Sequence, residues 1–475
     1  MDAKECSEDI GQNLLRIDQL ELSNYRCFTQ CAVDFHPSLT VLVAENAKGK
    51  SAILDAIAIA LDPIIATIVG GQSIRFPIGA IHLSKNETGK MKPAVPARVQ
   101  AKGSVANRES ISWARELAGS SKRSRPSSRE LKSVVAASSQ FIESSKSGSS
   151  SVLPVVAYYR TDRLWTSQGD RSRPKGASDF TGRLVGYQDW SSPTSSFGSF
   201  IDWYRSAFTD LGASTSKFRD KEDRLEKQLA AIHDAISTAL EPTGWRSITW
   251  QGHKSNDDDQ IFEDECIAVE HSTKGMLPLQ YLSDGVKNMI SLVADLSYRC
   301  VRLNPELGMD ASNGTPGVVL IDEIDMHLHP RWQQVVVELL TSAFPRVQFI
   351  VTTHSPQVLS TVDYQSIRLV HLEGSKGVVR KPEYQTRGIE SADILARLMD
   401  VDPIPHVRES QWLSEYRALL QTAKHETNDG GALWEKIVNH FGQNNPVLDE
   451  FETLRRFQAF RHTQGLNKMM DSSDA

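Results

Sequence analysis

Four short strings fall in a fixed order along the 475 residues: Ala44-Glu-Asn-Ala-Lys-Gly-Lys-Ser51, Leu282-Ser-Asp-Gly285, Val318-Val-Leu-Ile-Asp-Glu323 and Val351-Thr-Thr-His354. Each carries part of the chemistry needed to handle a nucleoside triphosphate. A triphosphate is a dense anion, and backbone N–H groups at a helix N-terminus hold it well. In the first string, Glu45, Asn46, Ala47, Lys48 and Gly49 would form such a cradle. Lys50 would add positive charge at the β- and γ-phosphates, and the Ser51 hydroxyl would ligate magnesium. The string departs from Gly-x-x-Gly-x-Gly-Lys-Ser at Ala44 and Ala47. Glycine serves such positions because the backbone must come close to phosphate and adopt positive φ, so Ala47 is the costlier departure.

The third string delivers Asp322 toward the magnesium and Glu323 toward the attacking water, the general-base role in phosphoryl transfer. The fourth would set His354 beside the γ-phosphate as a sensor. The second precedes a run with Met289, Ile290, Val293 and Leu296 at helical spacing. Ser283, the Gly285 amide and that helix N-terminus make a second anion-binding end. One subunit needs only one such end for its own nucleotide. The economical reading is that Ser283 and Gly285 cap ATP held by Lys50 of another copy.

The elements that must position these groups are legible. Leu15, Ile17, Leu20 and Leu22 read as strand, and Thr40-Val-Leu-Val43 is a short buried run leading into the phosphate loop. Ile53, Leu54, Ile57, Ala58 and Leu61 follow as a helix. Val318–Ile321 and Gln348–Thr353 read as two further buried strands. Leu153-Pro-Val-Val-Ala-Tyr-Tyr159 is strand-like, and Leu225, Leu229, Ile232, Ile236 and Leu240 mark an amphipathic helix. Serines crowd residues 102–151 with Lys122, Arg123, Arg125 and Arg129, which reads as an exposed, flexible insertion. Residues 254–265 are acidic. Beyond Gly388 the chain reads as helices: one N-capped by Ser391, one with Trp412, Tyr416 and Leu419 on a face, one with Leu433, Ile437 and Phe441 ended by Gly442, and one from Val447 to about Phe460.

The bulk properties narrow the classes. Net charge is −6, so nucleic-acid contact needs a local patch or a partner. The cysteines (6, 27, 31, 266 and 300) include no Cys-x-x-Cys pair, which fits reduced thiols. The apolar stretch Ala52–Val69 carries Asp55, Asp62 and Pro63 and follows the phosphate loop, so it reads as a buried helix and not a span. With an acidic N-terminus lacking a signal pattern, a cytoplasmic protein is expected.

Together the strings resemble ABC-type ATPase heads, in the soluble class that includes SMC and RecF proteins. The opening Ile17-Asp-Gln-Leu-Glu-Leu-Ser-Asn-Tyr-Arg-Cys-Phe28 is similar to the start of that class, and Asp322-Glu-Ile-Asp-Met-His-Leu-His-Pro-Arg-Trp-Gln333 with Thr353-His-Ser-Pro356 to its OLD-like branch. Pro154-Val-Val-Ala-Tyr-Tyr-Arg-Thr-Asp-Arg-Leu-Trp165 and the helical tail look like the ATPase subunit of Septu and retron-linked anti-phage systems. The resemblance implies an α/β fold: an ABC-type P-loop ATPase head, a mixed sheet with flanking helices, plus helical insertions and a C-terminal helical region. The expected divisions are a first lobe over 1–101, the insertion over 102–151, the remainder of the first lobe with a helical insertion over 152–265, a second lobe over 266–385, and helices over 386–475.

It further implies ATP and Mg2+ as ligands, even-numbered homo-oligomers built from head-to-head pairs, a separate HNH endonuclease subunit, DNA contact through the complex, and no membrane. OLD-like nucleases add a Toprim domain after the histidine strand; the helical reading of 386–475 implies that this chain is not itself a nuclease. Arg160 and Arg163 read either as approaching phosphate or the partner subunit, or as structural ion pairs. No glutamine fits the coupling loop expected between residues 62 and 100, Gln72 included. Two alternatives stay open: a RecF-like DNA-repair ATPase acting on DNA directly, which the basic insertion favours and the acidic net charge disfavours, and, on Ala47 and the missing glutamine, a hydrolysis-deficient nucleotide-binding scaffold.

Overall fold

The computed structural model describes residues 14–71, 76–85, 87–119, 129–146, 151–161, 182–191, 197–212, 219–252, 265–443 and 445–471. They divide into two units, Met1–Ile394 and Leu395–Ala475. In the first, β1 (Leu15–Tyr25), β2 (Phe28–Asp34) and β3 (Leu39–Val43) lead into α1 (Lys50–Val69). A small hairpin, β4 (Leu83–Lys85) and β5 (Met91–Pro93), precedes β6 (Ala97–Val105), β7 (Arg108–Leu117) and α2 (Lys132–Lys146). Next come β8 (Val155–Tyr159), α3 (Phe197–Gly212), α4 (Arg219–Leu240), β9 (Trp245–Gln251), β10 (Cys266–His271), β11 (Gly275–Pro278) and α5 (Asp284–Leu303). Then follow β12 (Gly317–Ile321), α6 (Val336–Ala343), β13 (Val347–Thr352), β14 (Ile367–Glu373) and β15 (Lys376–Arg380).

Ten strands form one mixed sheet in the order β7-β6-β1-β2-β15-β14-β3-β13-β12-β8. Its β14-β3-β13-β12-β8 part is parallel throughout. Strands covered on both faces should be continuous apolar runs. Every residue of β8, β12 and β13 is buried, and β8 and β12 are such runs; β13 also buries Gln348 and Thr352, whose side chains are hydrogen-bonded. The β1–β2 and β1–β6–β7 pairings are antiparallel. The apolar spacing in β1 changes step between Ile17 and Leu20 because the register with β6 shifts between Ile17 and Gln19, a bulge that resets which side chains face inward.

The α1 helix is apolar nearly all round, and such a helix belongs inside. It is long and apolar enough to cross a membrane, but most of it is buried in the head. Its Ala60 carbonyl accepts Trp113 Nε1–H at 2.8 Å and Asp62 pairs with Arg115 at 3.0 Å, so β7 is tied to α1.

Those contacts correct the expectation for 102–151. Within the described residues, β6, β7 and α2 are regular structure, with Trp113, Arg115, Leu117, Val134, Ala137 and Phe141 buried. Serine content misled because a serine can be buried at little cost once its hydroxyl finds a local carbonyl, as Ser138 does on Val134 at 2.7 Å. The boundary expected at 101/102 therefore cuts through β6. The one at 265/266 separates β9 from β10, which pair in a three-stranded antiparallel sheet with β11. Lys122, Arg123, Arg125, Gln72, Arg163 and nearly all of the acidic stretch 254–265 lie outside the described residues.

The helix expected to be N-capped by Ser391 is α7 (Ser391–Arg397); Ser391 is its first residue, and the Glu390 carbonyl accepts the Ile394 amide at 3.1 Å. The second unit holds α8 (Arg408–Gln421), α9 (Asn428–Phe441) and α10 (Pro446–Asp471). Its core is Tyr416, Leu420, Ile437, Leu448 and Phe451, with Leu420 deeper than the expected Leu419. Gly442, at φ +79°, ends α9, and α10 runs past the expected Phe460. Residues 386–475 contain one Asp-x-Asp, at Asp400–Asp402; it lies in an irregular stretch, and no strand occurs among the described residues of this unit.

Candidate functional site

Neighbouring parallel strands deliver the predicted groups to one edge of the sheet. The phosphate loop leaves the end of β3, His354 follows β13, and Asp322 and Glu323 follow β12. The registers Leu42↔Thr352 and Val351↔Ile321 place these ends side by side. Ligands of open α/β sheets gather at such carboxyl ends. The sheet therefore assembles what the sequence leaves hundreds of residues apart.

In the loop, Glu45, Asn46 and Ala47 are exposed, Lys48 and Gly49 half-buried, and Lys50 buried. Lys48 pairs loosely with Glu45 at 3.6 Å. Lys50 Nζ donates to the Ala44 carbonyl at 2.9 Å and the Glu45 carbonyl at 3.4 Å, so the ammonium lies under the cradle. Ala47 takes φ +62°, the left-handed conformation for which glycine is favoured. The departure at Ala47 is thus a local strain, whereas Ala44 needs no positive φ. Gly49 is required: it adopts φ +98° as the N-cap of α1, and a Cβ would lie 2.3 Å from Phe28 Cζ. Ser51, in the first turn of α1, is exposed.

Asp322 is buried, and its Oδ1 accepts the Thr352 hydroxyl at 2.6 Å. The same hydroxyl oxygen accepts the Glu323 backbone amide at 2.7 Å, so one threonine of β13 holds the Asp322 carboxylate and the Glu323 main chain just past β12. Glu323 has φ +50°, a turned backbone at the strand end. Thr353 in turn donates to Asp325 Oδ1 at 2.6 Å. Asp325 was not singled out from the sequence, where it is one acid among several in the same string.

These charges feel one another. Burial pushes the Lys50 pKa down, opposed by the negative charge of Asp322, Glu323 and Asp325. Burial, and then the positive charge of Lys50, hold His354 below its usual value, so its ring is neutral at pH 7. The exposed Ser51 hydroxyl and the buried Asp322 carboxylate suit magnesium brought in with phosphate, since that ion keeps waters and takes only one or two protein carboxylates.

A second cluster flanks the loop. Asp55 of α1 pairs with Arg26 at 2.5 Å and with Arg160, at the end of β8, at 2.9 Å. The Tyr158 hydroxyl donates to the same carboxylate at 3.2 Å. Of the readings open for Arg160, the ion pair is the one observed. Ser283 is exposed as the N-cap of α5, and its hydroxyl makes no capping bond. Gly285 is buried against the turn after the acids: a Cβ there would lie 2.5 Å from the His327 carbonyl.

A phosphate loop, a strand ending in two acids and a strand ending in histidine, side by side in a mixed sheet flanked by helices, define a P-loop ATPase head of the ABC type. The chain belongs to the family described as "AAA domain, putative AbiEii toxin, Type IV TA system", whose profile matches residues 39–360. It is 26% identical over 492 aligned residues to the Retron Ec83 probable ATPase of Escherichia coli, covering 92% of this chain and 86% of that protein. It is 26% identical to the Septu protein PtuA of Bacillus thuringiensis over 39% of this chain and 46% of that one. Among solved structures, an SMC head bound to the C-winged helix domain of ScpA is similar over 78% of this chain and 98% of its own, at 18% identity and a TM-score of 0.46.

Proposed function

We propose that this chain is the ATP-binding subunit of an anti-phage defence complex, in which ATP joins two heads and their closure controls a separate HNH-type nuclease. The observation that carries the reading is the convergence of Lys50, Ser51, Asp322, Glu323 and His354 on one sheet edge, in a chain similar to retron and Septu ATPases. The loop amides from Glu45 to Gly49 and the Lys50 ammonium hold the phosphates. Ser51 and Asp322 hold Mg2+, which supplies charge neutralisation when bound. Glu323 takes the proton of the attacking water, and neutral His354 senses the γ-phosphate.

Ser283, exposed with its hydroxyl unused by the helix, and the N-terminus of α5 are the half-site offered to a twin's nucleotide. Homo-oligomers are then even-numbered, because each pocket takes two subunits. The chain works in the cytoplasm, and DNA is met through the complex.

The test compares native protein with Glu323→Gln by mass photometry and phosphate release, with and without ATP and Mg2+. The variant should trap ATP-joined pairs while hydrolysis falls by about 10²–10⁴-fold, the usual worth of a general base. A native chain that stays monomeric at saturating ATP overturns the shared-pocket reading. Equal silence of both proteins in phosphate release, with ATP still bound, would make this chain a nucleotide-gated scaffold.

A further inference from the structure

His354 is bracketed by two side chains, one that reaches the turn at 325–329 directly and one that reaches it through Gln333. On one side Thr353 donates to Asp325 Oδ1 at 2.6 Å. On the other, the buried Ser355 hydroxyl donates to Gln333 Oε1 at 2.7 Å. Gln333, which ends the helical turn Pro330–Gln333, passes the connection on: its Nε2 donates to the Leu328 carbonyl at 2.9 Å and more weakly to that of Asp325 at 3.4 Å. The same turn carries the His327 carbonyl that leaves no room for a Cβ on Gly285. A continuous set of contacts therefore runs from the residues around His354, through Gln333, to the first turn of α5.

The chemistry of the Gln333 position is narrow. Ser355 Oγ accepts the amides of Gln357 and Val358 at 3.1 and 3.2 Å, so its single proton is committed to Gln333. At the far end the Leu328 carbonyl takes an Nε2 proton, while the Asp325 carbonyl also accepts the Leu328 amide at 3.1 Å. A side chain that accepts at one end and donates at the other is an amide. A carboxylate would face the carbonyls with no proton, and leucine would satisfy neither end.

We propose that Gln333 is a positioning residue that couples the His354 strand end to the N-terminus of α5, so that nucleotide contact at His354 sets where Ser283 and Gly285 stand for a partner. This rests on the shared-pocket reading above. Packed backbone contacts of the Gly285–His327 kind move together, and a turn held from both sides of His354 has little freedom to move alone.

The experiment uses the full chain and its Gln333→Leu and Gln333→Glu variants, each checked by thermal unfolding. Affinity for a fluorescent ATP analogue is measured at concentrations where the chain is monomeric. The turnover number and ATP-driven association are then measured by phosphate release and mass photometry. Affinity within twofold of native, with turnover and association both reduced about tenfold or more, supports the coupling. Should the leucine variant fail to fold, the near-isosteric glutamate variant decides. Turnover and association within twofold of native in a folded variant overturn it. So does a loss of affinity in step with turnover, which marks general damage to the site. A native chain that hydrolyses ATP without associating sinks the shared pocket instead, and the split between affinity and turnover still judges Gln333.

Discussion

Gly285→Ala tests the partner-facing role of α5 most directly, because the sign of its effect is set by a contact. In a helix, alanine ordinarily gains about 0.5–1 kcal/mol over glycine. Here the new Cβ would lie 2.5 Å from the His327 carbonyl oxygen, a backbone atom that cannot swing aside, so the helix start or the turn must shift. Forcing a methyl group into such packing costs about 1–3 kcal/mol, and a rigid neighbour favours the upper half. The net is about 1–2 kcal/mol against the native arrangement, a factor of roughly 5–30. The cost falls on the α5 N-terminus and not on the phosphate loop. ATP affinity of the monomer should hold while the ATP-driven association constant drops by that factor in mass photometry. Gly431→Ala in α9 is the control, since nothing lies within 4 Å of its Cβ; it should associate as native does. If Gly285→Ala pairs at the native ATP and protein concentrations and releases phosphate at the native rate, α5 does not face a partner.

Ala47→Gly removes a left-handed alanine, for which the penalty is about 1 kcal/mol, partly offset by the freer unfolded glycine chain; urea unfolding should show stability unchanged or raised by up to about 1 kcal/mol. Arg115→Leu leaves Asp62, itself buried, without the guanidinium 3.0 Å away, so urea unfolding should show a loss of about 3–5 kcal/mol. His354 has a lowered pKa, so its ring stays neutral until the pH falls below the ordinary value of roughly 6.5. Acidification then adds a cation beside Lys50. The ratio of native to His354→Ala phosphate release should be flat above that pH and fall below it, and a ratio independent of pH would remove His354 from the site.

The buried strands β3, β12 and β13 were legible because a parallel sheet covered on both faces favours apolar residues, with Thr40, Gln348 and Thr352 the buried polar exceptions. Motif and strand thus appear as one string, acids or histidine at its end. The α1 helix was legible for a similar reason: apolar all round, it has nowhere to go but inside. Residues 102–151 were misread because composition counts serines without asking whether their hydroxyls find carbonyls. Ser138 is fully buried in a stretch read as solvated, its hydroxyl on the Val134 carbonyl.

The amino-acid order alone determined which chemical groups this protein owns: a lysine after a glycine-bearing loop, two acids, a histidine and a serine at a helix start. Those depend on local patterns of a few residues. Only the tertiary structure decided that one threonine of β13 holds the Asp322 carboxylate and the Glu323 backbone amide, that Arg26 and Arg160 meet on Asp55, and that Gln333 links Ser355 to a turn wedged against Gly285. Such contacts join residues far apart along the chain, and which of many equivalent polar side chains meet is fixed by strand order and packing, which no local pattern encodes.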